Sequence, residues 1–354
     1  MRVSSAWWAI RARNRALRQL LGLPQAWLRR LAGPEIVVEG RQLDAQIQAL
    51  LTIKRLAGIR DSDDVETARG ALDNDMDAVA PRPCPMRQLR ELRVAADAVS
   101  LPARLYVPES APSTPPLLVY FHGGGFVVGS LRSHDAAVRE LAHLAGTAIL
   151  SVAYRLAPEH KAPAPADDAY RAYQWARANA DALGVDAERI GVGGDSAGGN
   201  ISALVSQRCR DRDERGPEVQ VLIYPATDLT NSSASHATFR SGFLLEGETI
   251  DWYLSHYLVD DEQRRSPEVS PLFAARFDGL PPTILVTAGF DPLRDEGAAY
   301  AEKLREAGVA VTYRCEPGLV HGFFNMSGII AAAAAANQAI ATNLRAALSP
   351  IRDD

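Results

Sequence analysis

Residues 189–200 read Arg189-Ile-Gly-Val-Gly-Gly-Asp-Ser-Ala-Gly-Gly-Asn200, a serine pentapeptide set between strand-like and helix-like sequence. A serine at a strand-to-helix turn takes strained backbone angles, and only small neighbours leave room for the crossing chain. Such a turn lifts the Ser196 hydroxyl above a sheet and aims the next helix's N-terminal amides at it. Alone, Gly194-Asp-Ser-Ala-Gly198 would be a cheap pattern. Here His122-Gly-Gly-Gly125 lies upstream, directly after the apolar run Leu117–Phe121, and Asp291 and His321 follow downstream.

Working outward, short β-rich runs recur at residues 103–107, 117–121, 148–153, 190–193, 219–224, 283–287 and 309–313. Helical stretches at 133–144, 164–179, 200–210 and 295–307 separate most of them. Continuous apolar strands alternating with helices predict an α/β fold: a mostly parallel sheet covered on both faces. Residues 226–281 are too long for one crossover. They hold a helical piece at 248–258 with Trp252, Tyr253, Tyr257 and Leu258, so 230–270 reads as a cap insertion. The division expected is N-terminal helices contributing to the cap (1–60), catalytic domain (61–229), cap insertion (230–270) and catalytic domain again (271–354). An amphipathic helix over 43–58 precedes a polar, acidic stretch and an irregular passage through Pro81, Pro83 and Pro85. The alanine-rich run 331–336 continues, periodically apolar, to Leu348 as a docked terminal helix.

A neutral hydroxyl is a weak nucleophile, and an adjacent imidazole can remove its proton as it attacks a carbonyl. Among seven histidines, His321 has the fitting setting, in a loop after a β-rich run and last in chain order. Asp291 follows the strand Ile284-Leu-Val-Thr287, at the carboxyl end where α/β folds carry functional groups; it would fix the imidazole tautomer. Asp295 and Glu296 fall on the next helix, where they suit its first turn. Gly123, Gly124 and Gly125 let main chain approach a developing oxyanion, and the Ala197 amide would join them. His122 reads as a loop brace rather than a proton carrier.

Competing chemistries find little support. The net charge of −5 and pI near 5.9 argue against a nucleic-acid partner. Gly191-Val-Gly193 fails the dinucleotide fingerprint at Ser196, and there is no Walker-type loop or zinc spacing. Catalysis without metal or cofactor is expected. Cys84, Cys209 and Cys315 read as reduced thiols in a cytoplasmic protein, and no apolar run approaches the roughly 18 residues of a membrane span.

The first 34 residues contain seven arginines and no acid. Trp7, Ile10, Leu17, Leu21, Leu28 and Leu31 recur at helical intervals opposite Arg11, Arg15 and Arg18, with a break near Pro24. This basic amphipathic segment either attaches to an anionic membrane surface or an acidic partner, or packs over the catalytic domain as part of a lid. The lid is preferred, because a lone helix binds membranes weakly.

The chain resembles the hormone-sensitive-lipase family of bacterial α/β-hydrolases. The matching pieces are His122-Gly-Gly-Gly-Phe126, Tyr154-Arg-Leu-Ala-Pro-Glu159, Ala166-Asp-Asp-Ala-Tyr170, Gly194-Asp-Ser-Ala-Gly-Gly199, Asp291-Pro-Leu-Arg-Asp-Glu-Gly297 and His321-Gly-Phe323. Residues before about Val37 extend beyond compact members. The resemblance implies an eight-stranded sheet, a roof of N-terminal helices plus the insertion, and hydrolysis of short- to medium-chain carboxylic esters. It also implies structural roles for Tyr154-Arg155 and Asp167-Asp168. Candidate pocket walls are Phe126, Phe243, Leu244, Phe323 and Phe324. The same residues would serve an amidase or deacetylase. A small-molecule receptor on this fold is disfavoured, since Ser196, Asp291 and His321 are all present. A homo-oligomer is compatible with the sequence.

Overall fold

The computed structural model describes residues 5–58, 62–96 and 99–349. Helices α1 (Ser5–Leu21) and α2 (Gln25–Ala32) lead into strands β1 (Val37–Val38) and β2 (Arg41–Gln42), then α3 (Ala45–Leu56) and α4 (Val65–Val79). The sheet follows: β3 (Met86–Ala96), β4 (Val99–Pro108), β5 (Leu117–Phe121), α5 (Asp135–Ala145), β6 (Ala148–Val152), α6 (Ala164–Ala178), α7 (Ala180–Leu183), β7 (Ile190–Asp195), α8 (Ala197–Asp211) and β8 (Gln220–Ile223). After α9 (Ala234–Thr238) and α10 (Gly247–Tyr257), β9 (Thr283–Phe290), α11 (Arg294–Glu306), β10 (Val311–Val320) and α12 (Ala331–Ala347) complete it.

The eight strands lie in the order β10-β9-β8-β7-β5-β6-β4-β3. Pairings from β6 to β10 are parallel, and β4 and β3 add an antiparallel edge. Strands β5, β6, β7, β8 and β9 are buried throughout, as expected of a sheet covered on both faces. Asp195, Phe290 and Val320 end β7, β9 and β10 along one edge, the edge at which parallel folds place their sites.

Two elements escape the sequence pattern. In β3, Arg87, Arg90, Glu91 and Arg93 hide the strand signal, because this is the exposed edge, paired on one side with β4. Helix α4 reads as polar sequence, yet the Asp64 carboxylate caps it, accepting from the Thr67 amide at 2.8 Å. Residues 230–270 carry α9 and α10 between β8 and β9.

Candidate active site

Strand β7 ends at Asp195, α8 begins at Ala197, and Ser196 between them has φ 56° and ψ −118°. That region costs a non-glycine residue about 1–3 kcal/mol. Its surroundings enforce it: the Ser196 amide donates to the Ile223 carbonyl at 2.8 Å, and the Ser196 carbonyl accepts from Asn200 at 3.0 Å. A methyl group at Gly198 would collide with the Phe121 carbonyl oxygen, and one at Gly194 with Gly198. The crossing of β5 over the turn therefore admits only glycine there.

The turn meets two loops from neighbouring strand ends. His321 Nε2 lies 2.9 Å from Ser196 Oγ, and His321 Nδ1 lies 2.8 Å from Asp291 Oδ2. A carboxylate only accepts, so Nδ1 carries a proton and Nε2 faces the serine with its lone pair. Asp291 is fully buried, and its second oxygen accepts the Leu293 amide at 2.9 Å, which fixes the carboxylate's orientation.

The glycine loop after β5 is held from beneath. The Gly123 amide donates to Asp195 Oδ1 at 2.9 Å. Gly123 is thus removed from the expected oxyanion donors: its one N–H is already used. Gly124 (φ 122°), Gly125 (φ 58°) and Ala197 border the cavity beside Ser196, and as the first residue of α8 Ala197 has an amide without a partner inside the helix. His122 Nδ1 donates to the Gly123 carbonyl at 2.8 Å, while Tyr154 donates to the His122 carbonyl at 2.7 Å and stacks on its ring. Burial, reinforced by the charge of His134, pulls the His122 pKa down to about 4, so the ring is neutral near pH 7.

Asp195 is the hub of this substructure. It accepts from Tyr120 Oη at 2.7 Å as well as from Gly123, and His134 Nε2 lies 3.3 Å away. Burial pushes its pKa up, but His134 and the hydrogen bonds outweigh burial and bring it to about 2. The Ser133 hydroxyl donates to the Ser130 carbonyl at 3.0 Å and lies 2.8 Å from His134 Nδ1. His134 Nε2 faces the Asp195 carboxylate, and its Nδ1 meets the Ser133 hydroxyl. Neither this partnership nor the Gly123 anchor was legible in advance; an acid inside the serine pentapeptide was the available signal.

A cavity of about 160 Å³ opens over Ser196. Its walls include Leu72 and Met76 from α4, Leu245, and Ile250, Tyr253 and Leu254 from α10. Among the expected wall residues Phe126 lines it, stacked on Tyr257 with centroids 3.9 Å apart. The other four lie elsewhere. Phe323 and Phe324 are fully buried, packed on Tyr224 and Tyr120, because the turn after His321 drives them into the core. Phe243 packs against Phe239 and Phe290, and Leu244 joins that cluster. No described residue before Leu72 reaches the cavity; α1 instead packs on α4, behind the roof. The side chains of Trp7 and Trp8 lie outside the described residues.

Tyr154-Arg155 and Asp167-Asp168 build the frame. Arg155 binds Asp168 through two side-chain nitrogens at 2.8 and 2.7 Å, and Asp167 pairs with Arg208 of α8 at 2.7 Å.

The model of the α/β-hydrolase fold family matches residues 118–325, which span the glycine loop, the elbow, Asp291 and His321. Carboxylic ester hydrolase LipN of Mycobacterium tuberculosis is 42% identical over 329 residues, covering 90% of this chain and 87% of the relative. The chain belongs to the hormone-sensitive-lipase group of α/β-hydrolases. Within the α/β-hydrolases, ethyl acetate hydrolase of Pseudomonas putida is 42% identical over 66% of this chain and 74% of that protein. The solved ester-hydrolase EH1AB1 from the metagenome of Lake Arreo superposes with a TM-score of 0.83 at 40% identity, covering 86% of this chain and 98% of that one.

Proposed function

We propose that this α/β-hydrolase is a serine carboxylesterase for short- to medium-chain esters, working through an acyl-enzyme on Ser196. The observation that carries the reading is the continuous relay Ser196–His321–Asp291, with contacts of 2.9 and 2.8 Å. Ester-hydrolysing relatives at about two-fifths identity support the reaction class.

In this reading Ser196 Oγ attacks the ester carbonyl carbon as its proton passes to His321 Nε2. The carbonyl oxygen becomes an oxyanion, received by the amides of Gly124, Gly125 and Ala197. One such donor is worth about 3–4 kcal/mol in related sites. Collapse expels the alkoxide, which takes the proton from His321 and leaves as the alcohol. Water then gives a proton to His321 and attacks the acyl-serine; the acid departs and Ser196 recovers its proton. Asp291 stabilises the imidazolium in both halves without being protonated itself.

Apolar walls from α4 and α10 suit an acyl or alkyl chain, and the modest cavity favours short ones. Matched p-nitrophenyl esters and anilides test the reaction class: turnover of the esters and little or none of the anilides is expected. Preferred cleavage of the anilides would move the chain to the amidases.

A further inference from the structure

Helix α2 has two unlike faces. Leu28 is completely buried against the body of the protein, whereas Leu23, Trp27 and Leu31 are 41%, 58% and 55% exposed. Trp27 and Leu31, four residues apart, lie along one side of α2, since such positions are neighbours on a helix surface, and Leu23 stands in the turn before it. Arg30 sits over the Trp27 ring, 5.8 Å from its centroid. The segment is firmly seated: Gln46 donates to the Leu21 carbonyl at 2.9 Å, Gln48 to the Pro34 carbonyl at 2.6 Å, and Arg18 to the Ala80 carbonyl at 2.7 Å. The exposed apolar side therefore belongs to an ordered surface.

Charge says what would cover it. Seven arginines and no acid stand in the first 34 residues of a chain whose net charge is −5. Glu35 pairs with Arg29 and Asp75 with Arg13, which leaves the segment basic. An apolar strip with a tryptophan, bordered by arginines, has the chemistry of a helix lying in a lipid headgroup layer. A two-fold contact between copies would instead set arginines against arginines.

We infer that the outer side of α2, with the basic segment around it, docks this hydrolase reversibly on an anionic lipid bilayer. Trp27 and Leu31 enter the headgroup boundary while the arginines meet lipid phosphates. Because α1 rests on α4, and α4 supplies Leu72 and Met76 to the cavity, docking holds the roof close to the lipid, where apolar esters concentrate.

Co-sedimentation of the full chain with phosphatidylglycerol-containing vesicles tests this, with pure phosphatidylcholine vesicles as comparison. Binding about tenfold stronger to the anionic vesicles, weakened by about 0.5 M salt, is expected. Trp27→Ser combined with Leu31→Ser should lower that binding about tenfold, leaving turnover of a soluble ester and the melting temperature unchanged. Arg30→Glu, which keeps the apolar strip, should lower it too. Absent binding, or binding that survives both variants, overturns the inference. So does a concentration-dependent dimer that the double variant dissolves.

Discussion

The Asp195 carboxylate accepts the Gly123 amide at 2.9 Å, tying the residue before Ser196 to the loop that would receive the oxyanion. The elbow and the glycine loop come from different strands, and this bond fixes their relative position. Asp195→Asn keeps an acceptor but removes the charge that faces His134. We expect kcat to fall about tenfold with little change in KM, measured by steady-state kinetics. An unchanged kcat would show that the loop is held by other means.

The same carboxylate has a signature in acid. Its folded pKa, about 2, lies below the unfolded value of 3.8. Its contribution is therefore complete above pH 4 and is lost as pH falls toward 2. Denaturant midpoints over that window should decline more steeply in the parent than in Asp195→Asn.

Glu296 behaves in the opposite sense. Its Oε1 accepts the Thr227 and Asp228 amides at 2.7 and 3.1 Å, and burial raises its pKa well above the usual 4.5. The folded state thus favours the proton, and stability is lost as pH rises from the unfolded value toward the folded one. Glu296→Gln, which keeps the acceptor oxygen, should remove that decline. Thermal melting of both proteins from pH 4 to 8 checks this.

Cavity walls and buried aromatics should separate cleanly. Leu72→Ala enlarges the roof and is expected to shift the acyl-length optimum toward longer esters. Phe243→Ala, outside the cavity, should cost stability of about 2 kcal/mol and leave that profile unchanged. A panel of p-nitrophenyl esters with parallel melting curves distinguishes them.

These contrasts mark what the chain discloses before folding. Strands β5, β7 and β9 are buried on both faces, so Ser196 and Asp291 could be picked by where β7 and β9 end, whereas His321, beyond the half-exposed edge strand β10, was marked by its loop and its last place in chain order. Walls are another matter. Phe323 and Phe324 follow His321 directly, yet a turn with Gly322 at φ 82° sends both into the core. Leu72 and Met76 sit in a helix whose acidic outer surface masks its apolar side. The Gly123 amide is occupied by Asp195, a partner 72 positions away. Contacts of that range leave no periodic trace.

In the proposed reaction Ser196, activated by His321, takes the acyl group. Rapid quenching of p-nitrophenyl butyrate turnover, followed by peptide mass spectrometry, reads that step. A butyryl adduct on the peptide containing Ser196 is predicted, absent in Ser196→Ala, whose kcat should fall by about 10³–10⁶. An adduct on another residue, or a Ser196→Ala protein that keeps most of its activity, would contradict it.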